Sequence, residues 1–361
     1  MKRFLYLTLM FMVSCKPSLE SRLDSILKPV FPADEPGAAV LVMKGDDILF
    51  DKGYGLATLS RDLINGDTHF NIASVSKQFT AVAILQLVQE GKISLEDPVS
   101  KYFPDFESRI WEEISIRHLL SHSSGVPDER GYLTREQKVY GDEELAVEYL
   151  KTLDHRNFAP GTAYEYMNPT YTLMGFLVEK VCGEPFTEYV QKHIFDPAGM
   201  NDTYYFDRDN ERADAAHGYI YDNGWQEYDF GEETFFATRP DGGIYTTTHE
   251  FVKWEKALRE GKVLDPDLLK LAMTGHTEVS YSRWSDYQNR PNTWYGYGWF
   301  IEPALDGAPR RVYHTGDNGG FKIMAARYPD LDMLILVFAN RNDWERYELL
   351  MKLEKELITT N

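Results

Sequence analysis

A serine and a lysine three residues apart open a long apolar run: Ser74-Val-Ser-Lys77, within NIASVSKQFTAVAILQLVQEGK. A serine hydroxyl is a weak nucleophile until a neighbouring base takes its proton, and a Ser-Lys pair is one variant of that arrangement. Residues three apart share a helical face, so Lys77 can hydrogen-bond the Ser74 hydroxyl. A helix start also presents unpaired N–H donors and the positive end of the helix dipole, which favours an anion forming beside Ser74. To act as the base, Lys77 must shed its own proton, through burial or neighbouring cations. The spacing alone decides nothing, because Ser25-Ile-Leu-Lys28 shares it. The plain alternative makes Ser74 a helix cap and Lys77 a solvated first-turn residue.

Two further groups of residues bear on the choice. Tyr166-Met-Asn168 lies in YEYMNPTYTLMG, although Tyr221-Asp-Asn223 and Tyr287-Gln-Asn289 repeat its pattern. His314-Thr315-Gly316 occurs once, closing the strand-like RRVYHTG before DNGGF. Other candidates have plainer readings. His118 and His122 in RHLLSHSSG read as buried, hydrogen-bonded histidines. Cys182, before Gly183, reads as a small buried hydrophobe. Residues 207–214, DRDNERAD, lack the glycine and terminal acid of a calcium loop and read as a solvated acidic loop. Tyr297 and Trp299 read as strand packing, while Trp284 and Tyr287 either line an apolar acyl pocket or simply pack in a polar loop. No Cys/His group has zinc spacing, and neither a metal nor another cofactor is expected.

The elements that must hold these residues follow from periodicity. Leu19, Leu23, Ile26 and Leu27 predict an amphipathic helix. AAVLVMKGDDILFDKGYGLAT predicts a hairpin around a Gly-Asp-Asp turn. The Ser74 helix follows, ends at Gly91, and shows a broad apolar face through Val82, Ile84, Leu85, Leu87 and Val88. From about 96 to 240 strand alternation is scarce, and pieces such as EELAVEYLKTL and YTLMGFLVEKV read as helices. Helical signals continue in HEFVKWEKALREG and DPDLLKLAMTG. Strands return in YGYGWFI, RRVYHTG, FKIMAARYP and MLILVFAN, and a last helix runs from about Trp344 to Leu357. The expected architecture is α/β: an antiparallel sheet flanked by helices, built from about 18–95 and 241–361, with an inserted all-α lobe over about 96–240. Ser74 sits just before the chain enters that lobe, where ligand clefts form.

Composition bounds the partners. The 361 residues are 43% hydrophobic and 14% aromatic, those of a globular chain with a sizeable core. A formal net charge of −19 argues against nucleic acid or anionic lipid as partner, since phosphate contacts need Lys and Arg. Lys2 and Arg3, then apolar Phe4–Val13, form a run too short to span a bilayer and fitting an export signal over residues 1–14. Ser14 before Cys15 resembles a bacterial lipoprotein cleavage box, which predicts lipidation of Cys15 and anchoring to an envelope membrane. Cys182 is the one other cysteine, so a lipidated Cys15 leaves no intramolecular disulfide.

Taken together, Ser74-x-x-Lys77, Tyr166-x-Asn168 and His314-Thr-Gly316 resemble, in order and spacing, the motifs of the penicillin-recognising serine hydrolases. The likeness is to class C β-lactamases and their D-alanyl-D-alanine carboxypeptidase and esterase relatives. GKISLEDPVSKYFPDF, ISIRHLLSHSSGVPD, PGTAYEYMNPTYTLMG and DGGIYTTTHEFVKW resemble the family's connecting segments, so the similarity runs from about Ala38 to Asn340. It implies a β-lactamase/transpeptidase-like fold and a Ser74 acyl-enzyme. Lys77 and Tyr166 would share the proton work, and Asn168, His314, Thr315 and Gly316 would bind substrate. The N–H groups of Ser74 and Asp317 would form the oxyanion hole. Two residues depart from the pattern. His314 replaces a common lysine and offers Tyr166 less positive charge, which moves the base role towards Lys77. Asp317 replaces a small neutral residue, and its carboxylate disfavours anionic substrates. The expected activity is therefore a peptidase or esterase on small amides, peptides or esters. The alternatives are a β-lactamase or D,D-carboxypeptidase, and a penicillin-binding sensor that does not turn over.

Overall fold

The computed structural model describes residues 17–60, 62–127, 143–206, 212, 214–228, 238–279, 292–305 and 307–358. The export signal, Cys15, Trp284, Tyr287 and most of the acidic stretch 207–214 lie outside the described residues. The chain divides into two compact units. In one, which includes Met1–Val30 and Glu345–Asn361, helix α1 (Leu19–Leu27) buries Leu23 and Leu27 and is capped by Ser18. Its Arg22 Nε reaches Glu356 Oε2, on the C-terminal helix Arg346–Ile358, at 3.0 Å.

The larger unit, Phe31–Trp344, holds every strand named here. In chain order these begin with β1 (Ala38–Lys44), β2 (Asp47–Tyr54) and β3 (Phe70–Asn71). The short β4 (Tyr204–Tyr205), β5 (Tyr219–Tyr221), β6 (Trp225–Glu227) and β7 (Ile244–Thr246) follow. The last are β8 (Thr277–Glu278), β9 (Trp294–Tyr295), β10 (Phe300–Glu302), β11 (Arg311–Asn318), β12 (Phe321–Tyr328) and β13 (Met333–Ala339). Eight of them form one antiparallel sheet, ordered β2-β1-β13-β12-β11-β10-β9-β8. Strands from early and late in the chain thus meet inside it, next to the β2 edge, where β1 pairs β13 from Ala38↔Ala339 to Lys44↔Met333. The nearly unbroken apolar runs AAVLVM and MLILVFA are buried along their lengths, as central strands require. The edge strand β2 alternates less and carries Asp47, Asp51 and Lys52, which discourage further pairing.

The predicted hairpin, sheet strands and helices are present. Short strands β4, β5 and β6 also occur within the stretch where strand signals were scarce. The Ser74 segment differs in detail. Residues Ala73–Ser76 form a 3₁₀ turn, and α2 (Lys77–Gln89) begins at the lysine. Nor is α2 apolar on one face only: every residue from Lys77 to Leu85 is buried. A helix enclosed on all sides is a core element. It packs on α3 (Asn168–Cys182), on the short α4 (Arg239–Gly242) and, through Phe79 stacked on Trp254 at 4.2 Å, on α5 (Thr248–Arg259). Trp254 Nε1 completes that contact by donating to Gln78 Oε1 at 3.1 Å. Among the described residues no helix is long and apolar enough to cross a membrane.

Candidate active site

Ser74 is held by its neighbours rather than by a regular helix start. Ala73 takes a left-handed conformation, φ 47°, that a Cβ-bearing residue rarely adopts. The Asn71 side chain stabilises it by accepting the Ala73 N–H at 2.7 Å. Ser76 Oγ accepts the Ile244 N–H of β7 at 3.2 Å and ties the turn to that strand. Strand β11 runs alongside. A Cβ on Gly316 would stand 2.3 Å from the Ile72 carbonyl oxygen and 3.0 Å from the Ala73 Cβ, so glycine is needed for that approach. The strand carrying His314-Thr315-Gly316 is therefore brought against the turn carrying Ser74.

Lys77 lies at the centre of the arrangement and is fully buried. Its Nζ donates to Ser74 Oγ at 3.1 Å and to the Asp241 backbone carbonyl at 2.8 Å. It stands 5.0 Å from the centre of the Tyr166 ring and 5.6 Å from that of Tyr171. Ser74 is partly open, so a reactant can reach the hydroxyl while the lysine stays dry. Ser25, by contrast, donates to the Arg22 carbonyl in α1, an ordinary helical contact.

Tyr166 and Asn168 flank the start of α3, which begins at Asn168 with Pro169 in its first turn. Asn168 Oδ1 is buried and, among the described residues, accepts no hydrogen bond. An amide oxygen of that kind is available to an N–H of a substrate or to a lysine. Asp317 is exposed on β11, opposite Lys322 of β12.

His314 is fully buried. Its Nδ1 faces the Thr315 carbonyl at 2.6 Å and its Nε2 the Tyr295 hydroxyl at 3.0 Å. A carbonyl only accepts, so Nδ1 carries the hydrogen, while the Tyr295 hydroxyl can either donate to Nε2 or accept from it. Burial, reinforced by the neighbouring tyrosines Tyr171, Tyr166 and Tyr164, pushes the Tyr295 phenol far above its ordinary range, so it stays a neutral hydroxyl.

His118 and His122 are hydrogen-bonded, as expected, but only His122 is fully enclosed. His118 Nδ1 accepts the Ser115 N–H at 3.1 Å and closes a capping box. His122 Nδ1 accepts the Met167 N–H at 3.1 Å. Its ring lies 4.2 Å from that of Tyr166, with Tyr295 at 4.6 Å and Tyr171 at 5.0 Å. Burial, then the Lys77 charge and His314, hold the His122 imidazole well below its ordinary range and therefore neutral. No spacing or motif pointed to His122 beside Tyr166, or to Asp241 beside Lys77. Among the described residues no group of three or more His, Cys, Asp or Glu side chains is placed to hold a metal ion.

A dry lysine on a reachable serine, with a tyrosine, an unpaired amide oxygen and a close glycine-containing strand, can form and break an ester at Ser74. Known proteins share the framework. The family model described as Beta-lactamase matches residues 29–358. Penicillin-binding protein 4* of Bacillus subtilis (strain 168) is 27% identical over 348 residues, 92% of this chain and 74% of that protein. Protein flp of Staphylococcus aureus (strain MRSA252) is 28% identical over 314 residues, 85% of this chain and 60% of that protein, so the chain spans less than two thirds of its length. The octameric penicillin-binding protein homologue from Pyrococcus abyssi superposes with a TM-score of 0.81 at 26% identity, over 95% of this chain and 77% of that one. With the family model covering all of the larger unit and the same fold in a penicillin-binding homologue, this chain belongs to the Beta-lactamase family of serine hydrolases.

Proposed function

We propose that the chain hydrolyses small uncharged esters, amides or short peptides through an acyl-enzyme on Ser74. The observation that carries this reading is the 3.1 Å hydrogen bond from a solvent-free Lys77 to a reachable Ser74 hydroxyl. The Ser74 oxygen bonds to the substrate carbonyl carbon as its proton passes to the Lys77–Tyr166 pair. The carbonyl electrons move to an oxyanion, which faces the N–H groups of Ser74 and Asp317. Each such donor is typically worth about 2.7–4 kcal/mol. Tyr166 protonates the departing alkoxide or amine, the carbon–heteroatom bond breaks, and water later releases the acid from Ser74. Asn168 holds the substrate amide, and Thr315 hydrogen-bonds it from β11.

The substrate class rests on charge. Asp317 is exposed on the strand beside Ser74, on a chain of net charge −19. It disfavours a substrate carboxylate, although Lys322 opposite offsets part of its charge. A second reading, action on β-lactams or D-Ala-D-Ala ends, is favoured by the penicillin-binding names of the relatives. Export, with lipid on Cys15, is part of the same proposal and rests on the basic Lys2-Arg3, the apolar run after it and the Ser14-Cys15 step. Cys15→Ser should move the protein out of the membrane fraction; an unchanged distribution contradicts the anchor.

The test is a panel of a p-nitrophenyl ester, nitrocefin and a fluorescent penicillin, run on wild type and Ser74→Ala. Ester turnover lost in the mutant supports the main reading. Efficient nitrocefin turnover replaces it with the second. Stable penicillin labelling without turnover of either substrate indicates a sensor.

A further inference from the structure

Lys77 uses only the backbone carbonyl of residue 241 for its 2.8 Å hydrogen bond, which any residue type would provide. The chain nevertheless places a carboxylate there. Asp241 is 1% exposed, and its Oδ2 stands 3.7 Å from Lys77 Nζ. Its Oδ1 accepts from the Thr238 hydroxyl, and Thr238 in turn lies 2.6 Å from the Thr172 hydroxyl. Two hydroxyls in series therefore end on the carboxylate, and hydrogen bonds to a charged form favour that form. Close packing fixes the geometry: a Cβ on Gly175 would stand 2.3 Å from Pro240 Cγ, and Thr80 of α2 donates to the Pro240 carbonyl.

Among the described residues, three more rings lie near Lys77, and each favours a cation or carries no charge. The Tyr166 and Tyr171 rings present π-faces, which attract an ammonium. Burial pushes the Tyr171 phenol upward, so it carries no charge, and the buried His122 stays neutral. A buried carboxylate and a buried ammonium each need the other, because removing one leaves an uncompensated charge.

We propose that Asp241 is a positioning residue whose carboxylate keeps Lys77 protonated in the resting enzyme, making Lys77 a charged donor to Ser74 rather than its base. The Ser74 proton then goes to the Tyr166 phenolate, which the same ammonium stabilises, and Tyr166 returns it to the leaving group. This rests on Ser74 being the nucleophile.

Asp241→Asn keeps the backbone carbonyl and removes the charge. The measurement is the pH profile of kcat/KM for a neutral p-nitrophenyl ester, on variants whose circular dichroism matches wild type. With its counter-charge gone, Lys77 loses its proton at lower pH. The alkaline limb should fall by at least one pH unit while the acid limb stays. Thr238→Val, which weakens the carboxylate's hydrogen bonding, should move the limb the same way by less, and it carries the test if Asp241→Asn does not fold. An unmoved alkaline limb overturns the proposal. So does an acid limb that moves down with a gain in activity at neutral pH, the behaviour of a lysine base set free. Fluorophosphonate labelling of Ser74 in wild type separates the outcomes: labelling with an unmoved limb defeats only the role of Asp241, whereas no labelling defeats the nucleophile as well.

Discussion

The His122 ring packs on the Tyr166 ring at 4.2 Å while its Nδ1 accepts the N–H of the next residue, Met167. One buried side chain therefore fixes both the face and the backbone of the segment that presents Tyr166. His122→Phe keeps a ring but leaves the Met167 N–H unpaired, at a cost of about 1–3 kcal/mol. Ester kcat should fall while KM changes little, because the tyrosine is misplaced rather than the substrate pocket lost. Steady-state kinetics and thermal melts check this.

The same histidine gives stability a pH dependence. Its imidazole is held well below its ordinary range by burial, so the folded state leaves it neutral where the unfolded chain protonates it. Its contribution is complete above the unfolded value of about 6.5 and is lost as pH falls below that. The difference in melting temperature between wild type and His122→Phe should thus narrow from pH 8 to pH 5. A constant difference would mean that His122 titrates alike in both states.

Gly316→Ala should be costly despite adding one methyl group. Its Cβ would stand 2.3 Å from the Ile72 carbonyl oxygen, forcing β11 away from the turn that carries Ser74. Overpacking of this kind costs about 1–3 kcal/mol, and a displacement of about 1 Å at a reacting centre can cost roughly 100-fold in rate. Melting should show a modest loss of stability, and ester kcat/KM a much larger loss of rate.

Asp317→Asn tests the charge argument. The exposed carboxylate interacts with a substrate anion by about 1 kcal/mol at 4 Å in water, roughly fivefold in rate. The variant should gain about that factor for an ester bearing a carboxylate, gain little for a neutral ester, and lose the difference in high salt.

Much of this was legible in the sequence for a physical reason: strands and helices announce themselves by period, and Ser74, Lys77 and Tyr166 lie at or just before helix starts, while His314 lies within the strand β11. What stayed hidden depends on tertiary packing. Ala73 is no turn-forming residue, yet it takes the left-handed conformation that moves the start of α2 to Lys77. Asp241 stands in the sequence only as the first residue of the connector DGGIYTTTHEFVKW, and its place beside Lys77 depends on packing such as the close approach of Pro240 to Gly175. The expected shift of base chemistry to Lys77, argued from His314 alone, took no account of that carboxylate.

The central claim is that Ser74 forms a covalent intermediate. Incubation with a fluorophosphonate, followed by intact-mass measurement and peptide mapping, tests it most directly. One adduct per chain on the peptide containing Ser74, absent in Ser74→Ala, is the predicted result. No adduct, or an adduct on another serine, would contradict the account.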